Sequence, residues 1–284
     1  MDNSFSLYRL VLLIKRQWAS FGKIFLIALG TVTLIMLGIY IYNLPTKDTI
    51  STFFYHDEDT RLATLKFPGV VFVVVGILFV TFSSSWYFSK WGKKTNALEE
   101  ILLPASNLEK TICGIMLTSI VCIGSFLIVF FLVDGGYRLY FNAFVNHYLE
   151  SSNMTVVQGE KGLKTGRYVD VGSFVELVGN TFFTWFLIIG FLLQSVFLLG
   201  SIYFNRFQYI KTAIVLLVSI FTTIYVVAKW TNYITDGKTR VFRTLQELEH
   251  QNGLDIGALC YVFAALFLLM AYRVTYLRVK EKEV

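Results

Sequence analysis

Six stretches of the chain are almost free of charged residues, and each is long enough to cross a lipid bilayer. A helix needs about 17–25 mostly apolar residues to span a hydrocarbon core of roughly 30 Å. Backbone groups cannot stay unpaired in lipid, so continuous apolar runs of this kind must be helical. The pattern predicts an all-α polytopic membrane protein in a single domain, residues 1–284, with spans at residues 24–42, 70–88, 111–133, 182–204, 212–228 and 256–272.

Residues 5–20 precede the first span and predict an amphipathic helix. Leu7, Leu10, Val11, Ile14 and Trp18 recur at helical spacing on one face, with cationic residues elsewhere. Such a helix suits the membrane interface. The alternative is that the segment simply extends the first span.

Composition supports the membrane assignment. The chain has 284 residues, of which 55% are hydrophobic and only 15% are charged, whereas a soluble domain carries about 25% charged residues. The distribution of basic residues then sets the orientation. One side of the predicted topology, which includes both termini, holds 14 of the 25 Lys and Arg but 6 of the 19 Asp and Glu. Because basic residues favour the cytoplasmic side, we expect both termini in the cytoplasm.

The longest predicted extramembrane stretch is an outer segment at residues 134–180. The third span is expected to end at Asp134, which is followed by two glycines, and aromatic residues from Tyr137 to Tyr148 then predict a helix on the outer face. Val, Gly and Thr residues between 154 and 171 favour a small hairpin. A receptor or scaffold that binds a ligand through this segment is the main alternative to a transport function.

The cytoplasmic loop between the second and third spans contains the segment 96–110, NALEEILLPASNLEK. Ser106 and Glu109 have capping-box spacing, and Pro104 disfavours helix just before it. The sequence therefore predicts a short helix at 97–102, a break, and a new helix starting near Asn107. Leu98, Ile101 and Leu102 give the short helix an apolar edge, which needs a partner: the chain's own bundle, lipid headgroups or a separate soluble subunit.

This segment resembles the permease subunits of bacterial type-2 ATP-binding-cassette transporters. The similarity lies in LEEILLPASNLEK, placed after the second span, and extends weakly over the six spans and the N-terminal helix. The resemblance implies a multi-pass protein of the bacterial inner membrane. It would pair with a second permease copy or paralogue and bind a cytoplasmic ATPase that carries ATP and Mg²⁺. The long outer segment departs from the compact pattern of that family.

The same resemblance implies that the loop is a coupling helix that docks on the ATPase. The residues it assigns to ATPase coupling are Lys93, Lys94, Asn96, Leu98, Glu99, Glu100, Ile101, Leu102 and Pro104.

Other chemistry finds little support in the sequence. No phosphate-loop motif and no metal-binding or nucleophile motif is present, so we expect neither enzymatic activity nor a cofactor bound by this chain. Polar residues within the spans suggest a substrate pathway through Ser84, Ser85, Gln194 and Thr222, although Ser and Thr often bond only to their own helix. No buried charge is expected in the spans. The apolar, aromatic lining favours export of a hydrophobic or amphipathic substrate.

Overall fold

The computed structural model describes residues 6–46, 58–92, 105–152, 163–164, 170–171, 174, 179–204, 206–234 and 256–281. Within these ranges the chain is almost entirely helical. The helices are α1 (Leu7–Tyr42), α2 (Glu58–Gly92), α3 (Asn107–Ile115), a π-helical turn (Met116–Val121), α4 (Cys122–Ser152), α5 (Asn180–Tyr203), α6 (Gln208–Ile234) and α7 (Ile256–Glu281).

Six helical segments among the described residues are long and apolar enough to cross a membrane. They are Leu7–Tyr42, Phe67–Tyr87, Asn107–Tyr148, Thr181–Tyr203, Gln208–Trp230 and Cys260–Glu281. Each contains or overlaps one of the six predicted spans, so the prediction of six spans in an all-α fold is confirmed. The predicted hairpin is present as a two-residue antiparallel pair, β1 (Leu163–Lys164) and β2 (Asp170–Val171).

The first helix is continuous from the amphipathic segment into the first span. At 36 residues it is about 54 Å long, which exceeds the roughly 30 Å hydrocarbon core. Of the predicted apolar face, Leu10 is buried, whereas Leu7, Val11 and Trp18 are exposed. The predicted interfacial location of residues 5–20 stays a prediction, but no break separates them from the span.

The third span is also longer than the sequence predicts. The helix does not end at Asp134; α4 runs through both glycines to Ser152.

A π-helical turn at Met116–Val121 interrupts the α-helical geometry near the start of the span. The thiol of Cys122 lies 3.4 Å from the carbonyl oxygen of Leu117 and bonds to it, five residues back. Single π-helical turns in longer helices are often found at functional sites.

Backbone contacts divide the chain into two compact units. The first unit consists of Met1–Leu10, Ser84–Gly114 and Phe191–Val284, and the second of Val11–Ser83 and Ile115–Gly190.

The second unit has an aromatic core centred on Phe72. Its ring centroid lies 4.1 Å from that of Phe186, 4.5 Å from that of Phe130 and 5.0 Å from that of Phe174. Gly76, one turn along α2, permits this packing: a Cβ there would lie 2.8 Å from the Phe126 ring. Aromatic pairs at these distances contribute about 0.5–1.5 kcal/mol beyond the area they bury.

In the first unit, residues 204–207 connect α5, which ends at Tyr203, to α6, which begins at Gln208. Phe207 adopts a positive φ of 53°, a left-handed conformation that is uncommon for a residue with a side chain. Gly200 on α5 packs directly against Thr212 on α6, since a Cβ at position 200 would collide with the threonine side chain. Beyond Leu216 the described side chains of α6 are exposed.

Candidate functional site

The residues predicted to couple to an ATPase lie outside the described residues. These are Lys93, Lys94, Asn96, Leu98, Glu99, Glu100, Ile101, Leu102 and Pro104. The described chain resumes at Ala105, and α3 begins at Asn107, as predicted. The structure therefore shows the start of the helix that follows this segment.

The predicted capping box at the start of α3 is confirmed. The Ser106 amide donates to Oε2 of Glu109 at 2.9 Å, and the Glu109 amide bonds to Oγ of Ser106 at 3.3 Å. Each bond satisfies an amide that has no partner within the helix. Glu109 is completely buried, so this cap is a fixed feature of the packed structure.

The same carboxylate also caps a second helix. Oε1 of Glu109 accepts a hydrogen bond of 2.7 Å from the amide of Ser6, the residue before α1. Ser6 begins α1 as Ser106 begins α3: in both, the serine carbonyl accepts the first helical hydrogen bond, from Leu10 and from Lys110. One carboxylate thus joins the amides of two helix N-terminal caps within the first unit.

Electrostatics favour this junction. In α1 the third helical position, where a capping box would place Glu, is occupied by Arg9, whose positive charge is unfavourable near a helix N-terminus. Glu109 supplies the missing carboxylate from α3, and its charge interacts with that of Arg9. We call Ser6, Arg9, Ser106 and Glu109 the capping junction.

The predicted substrate-pathway residues are found in different environments. Ser84, Ser85 and Gln194 are buried, and Oε1 of Gln194 accepts a 2.9 Å hydrogen bond from the Tyr272 hydroxyl. Thr222 is exposed on α6, and its hydroxyl donates to the carbonyl of Val218 at 2.8 Å. Thr222 therefore makes the hydrogen bond to its own helix backbone that is common for threonine in membrane helices.

Two charged side chains are buried beyond residue 133, the predicted end of the third span. Asp134 and Arg138 on α4 form a buried ion pair, with Nε of Arg138 2.5 Å from Oδ2 of Asp134. Oδ1 of Asp134 accepts a 3.1 Å hydrogen bond from the hydroxyl of Tyr40 on α1. The pairing offsets the two charges within one helix.

An apolar, aromatic cavity of about 350 Å³ lies beside this ion pair in the second unit. Its lining residues include Leu37, Tyr40, Val133, Tyr137 and Tyr140. The Tyr137 hydroxyl donates to the carbonyl of Asn43 at 3.0 Å, and its ring packs edge-on against Tyr40. The site offers an apolar wall next to a paired charge, and ionisable groups within spans commonly mark functional sites.

One sequence signal could have revealed the ion pair. Asp134 and Arg138 are four residues apart, the spacing at which side chains on a helix meet. A four-residue spacing brings two side chains together only where the chain is helical. The two glycines between Asp134 and Arg138 indicated that the helix ends there, so the spacing did not predict the pair.

Reactive clusters are not found in the described part of the chain. No group of three His, Cys, Asp or Glu side chains there could hold a metal ion. Cys113, Cys122 and Cys260 are not in disulfides; the first two are buried and Cys260 is exposed. These positions agree with the use of cysteine as a small apolar residue of membrane helices.

Comparison of the chain with protein-family models, with curated proteins and with solved structures gave no match. What can be said of function therefore rests on the residues of this chain: six membrane-spanning helices, the capping junction and the paired charge in α4.

Proposed function

We propose that the chain is the membrane-spanning permease subunit of an ATP-driven transporter that exports a hydrophobic or amphipathic substrate. It works with a separate cytoplasmic ATPase and a second permease copy or paralogue in a bacterial inner membrane, with both termini in the cytoplasm. The ATPase binds ATP and Mg²⁺, and this chain binds no cofactor. The capping junction is the observation that supports the proposal.

The capping junction lies directly after the segment that would receive the ATPase. Any displacement of that segment acts first on Ser106 and the start of α3. Because Glu109 is hydrogen-bonded to Ser6 as well as to Ser106, the start of α1 must move with it or the Ser6–Glu109 hydrogen bond must break. Hydrogen bonds to a charged group contribute about 1.5–3 kcal/mol each, so concerted movement is favoured.

Two features of the described residues support a hydrophobic or amphipathic substrate. The apolar, aromatic cavity beside the Asp134–Arg138 pair and the buried Gln194 are consistent with an amphipathic molecule, which needs an apolar surface and a few polar contacts.

The first test asks whether the chain binds a soluble ATPase. Full-length tagged protein is purified in mild detergent, and co-purifying proteins are identified and assayed for ATPase activity. We expect a soluble ATPase that is lost in the Glu99→Lys, Glu100→Lys double variant. The matched control is Glu58→Lys, Asp59→Lys, the same charge reversal in a segment predicted on the opposite side, which should retain the ATPase.

Two outcomes separate binding from coupling. Glu109→Gln should still bind the ATPase, but stimulation of ATP hydrolysis by the reconstituted complex should fall severalfold. A well-folded chain that retains no ATPase in several detergents would contradict the proposal and favour a receptor or scaffold acting through residues 134–180.

A further inference from the structure

A second cavity, of about 510 Å³, lies among α5, α6 and α7 in the first unit. Its volume is within the range of about 300–1,000 Å³ that is usual for small-molecule sites. The lining is mainly apolar and comprises Val196, Leu199, Gly200, Tyr203, Phe204, Thr212, Val215, Leu216, Ser219, Ile220, Val274 and Arg278. We call it the α5–α7 cavity.

The shape of the α5–α7 cavity follows from how two of its helices meet. Gly200 and Thr212 bring α5 and α6 into direct contact near the turn that joins them. From Thr212 to Ile220 the cavity follows α6 for eight residues, which is about 12 Å. The result is an elongated apolar groove that begins beside a polar turn.

One cation, Arg278, lines this groove, and a second, Lys211, lies beside the lining ring of Phe204. The Arg278 guanidinium carbon is 5.5 Å from the ring centroid of Tyr203, and Nζ of Lys211 is 5.8 Å from that of Phe204. These rings belong to adjacent residues that pack edge-on, with centroids 5.5 Å apart. Cation–π contacts of this kind hold each charge near its ring, so two positive charges lie beside two adjacent rings that line the groove.

One carboxylate partly offsets this charge. Nη1 of Arg278 is 2.7 Å from Oε2 of Glu281, and both side chains are about half exposed. Exposed pairs of this type contribute little to stability, so a stronger anion can replace the carboxylate. A phosphate suits the site because Arg can bind two of its oxygens at once, while Lys adds a point charge.

We propose that the α5–α7 cavity binds an anionic phospholipid, with one acyl chain in the groove and the headgroup phosphate between Arg278 and Lys211. The apolar groove suits an acyl chain, and the two cations near one end of it suit the negatively charged phosphate. This site is distinct from the transport function proposed above and does not depend on it, because a bound lipid here would fasten α5, α6 and α7 whatever the chain transports.

The test compares lipids and variants on the full-length protein. Native mass spectrometry in detergent measures binding of phosphatidylglycerol and of phosphatidylcholine with the same acyl chains. A basic residue near a membrane surface favours anionic lipid by about 1 kcal/mol, or about fivefold. We therefore expect Arg278→Gln, Lys211→Gln to weaken phosphatidylglycerol binding by more than tenfold while phosphatidylcholine binding changes little.

Matched variants make the result specific. Arg273→Gln removes the same charge from α7 at a residue that does not line the cavity, and should leave lipid binding unchanged. Glu281→Gln removes the competing carboxylate and should tighten phosphatidylglycerol binding. Ser219→Trp fills the groove and should weaken binding of both lipids, which tests the acyl chain separately from the headgroup.

Three results would overturn the inference. The first is equal binding of the two lipids by the unaltered protein. The second is a loss with Arg273→Gln as large as that with Arg278→Gln, Lys211→Gln, which would mean diffuse attraction. The third is displacement of the lipid by inorganic phosphate at equal concentration, which would mean a simple anion site.

Discussion

The buried ion pair in α4 gives the sharpest test of the structure. Arg138→Leu removes the guanidinium from the buried Asp134 carboxylate, which keeps its hydrogen bond from the Tyr40 hydroxyl. Asp134→Leu removes the carboxylate from the buried Arg138 guanidinium. Breaking a buried pair by removing one partner costs about 3–5 kcal/mol, because an uncompensated charge remains. Each single variant should therefore lose a large part of the stability of the second unit.

The double variant Asp134→Leu, Arg138→Leu should be much less damaging. Both charges are replaced by apolar side chains, and the main residual cost is the Tyr40 hydroxyl that loses its acceptor, about 1–3 kcal/mol. The losses from the two single variants together should thus exceed the loss from the double variant by at least about 2 kcal/mol, a coupling expected of residues in direct contact.

Unfolding by dodecyl sulfate in mixed micelles, followed by tryptophan fluorescence, measures all three variants against the unaltered protein. The same cycle on Arg278 and Glu281 is the matched control: that pair is exposed and should give a coupling of about 0–1 kcal/mol. Equal, additive losses of less than about 0.5 kcal/mol at Asp134 and Arg138 would refute the buried pair.

Three further predictions use the same unfolding assay. Glu109→Gln should cost about 1–3 kcal/mol, because one of two partly buried amides loses a charged acceptor, whereas Glu281→Gln should cost less than about 1 kcal/mol; equal losses would exclude the capping junction. Gly76→Ala should destabilise by about 1–3 kcal/mol through a clash with an aromatic ring, while Gly30→Ala, where a Cβ meets no atom within 4 Å, should be neutral or stabilising. Gln194→Leu should cost about 1–3 kcal/mol because a tyrosine hydroxyl loses its acceptor, and an unchanged midpoint would contradict that bond.

Local sequence features were sufficient where the interactions are local. The six spans follow from apolar runs, since a helix satisfies its own backbone within one segment. The capping box at Ser106 and Glu109 joins residues three apart, so spacing alone predicts it. The serine and threonine residues that bond to their own helices, such as Thr222, were foreseen as one of two alternatives for the same reason.

The remaining features required distant parts of the chain to meet. The second partner of Glu109 is Ser6, 103 residues away, and the hydroxyl that bonds to Asp134 is that of Tyr40, 94 residues away. No periodicity within a helix encodes such a pairing. The two glycines after Asp134 indicated a helix end, but α4 continues through them to Ser152.

The sequence by itself therefore determined that this is a six-span helical membrane protein and where α3 begins. Only the tertiary structure decided that one carboxylate joins two helix starts, that a charged pair is buried in α4, and that two cations lie beside rings that line one apolar groove. The physical reason is that hydrophobic runs, caps and pairs of charges four residues apart act locally, whereas the burial of charges and the shaping of cavities depend on which helices pack together.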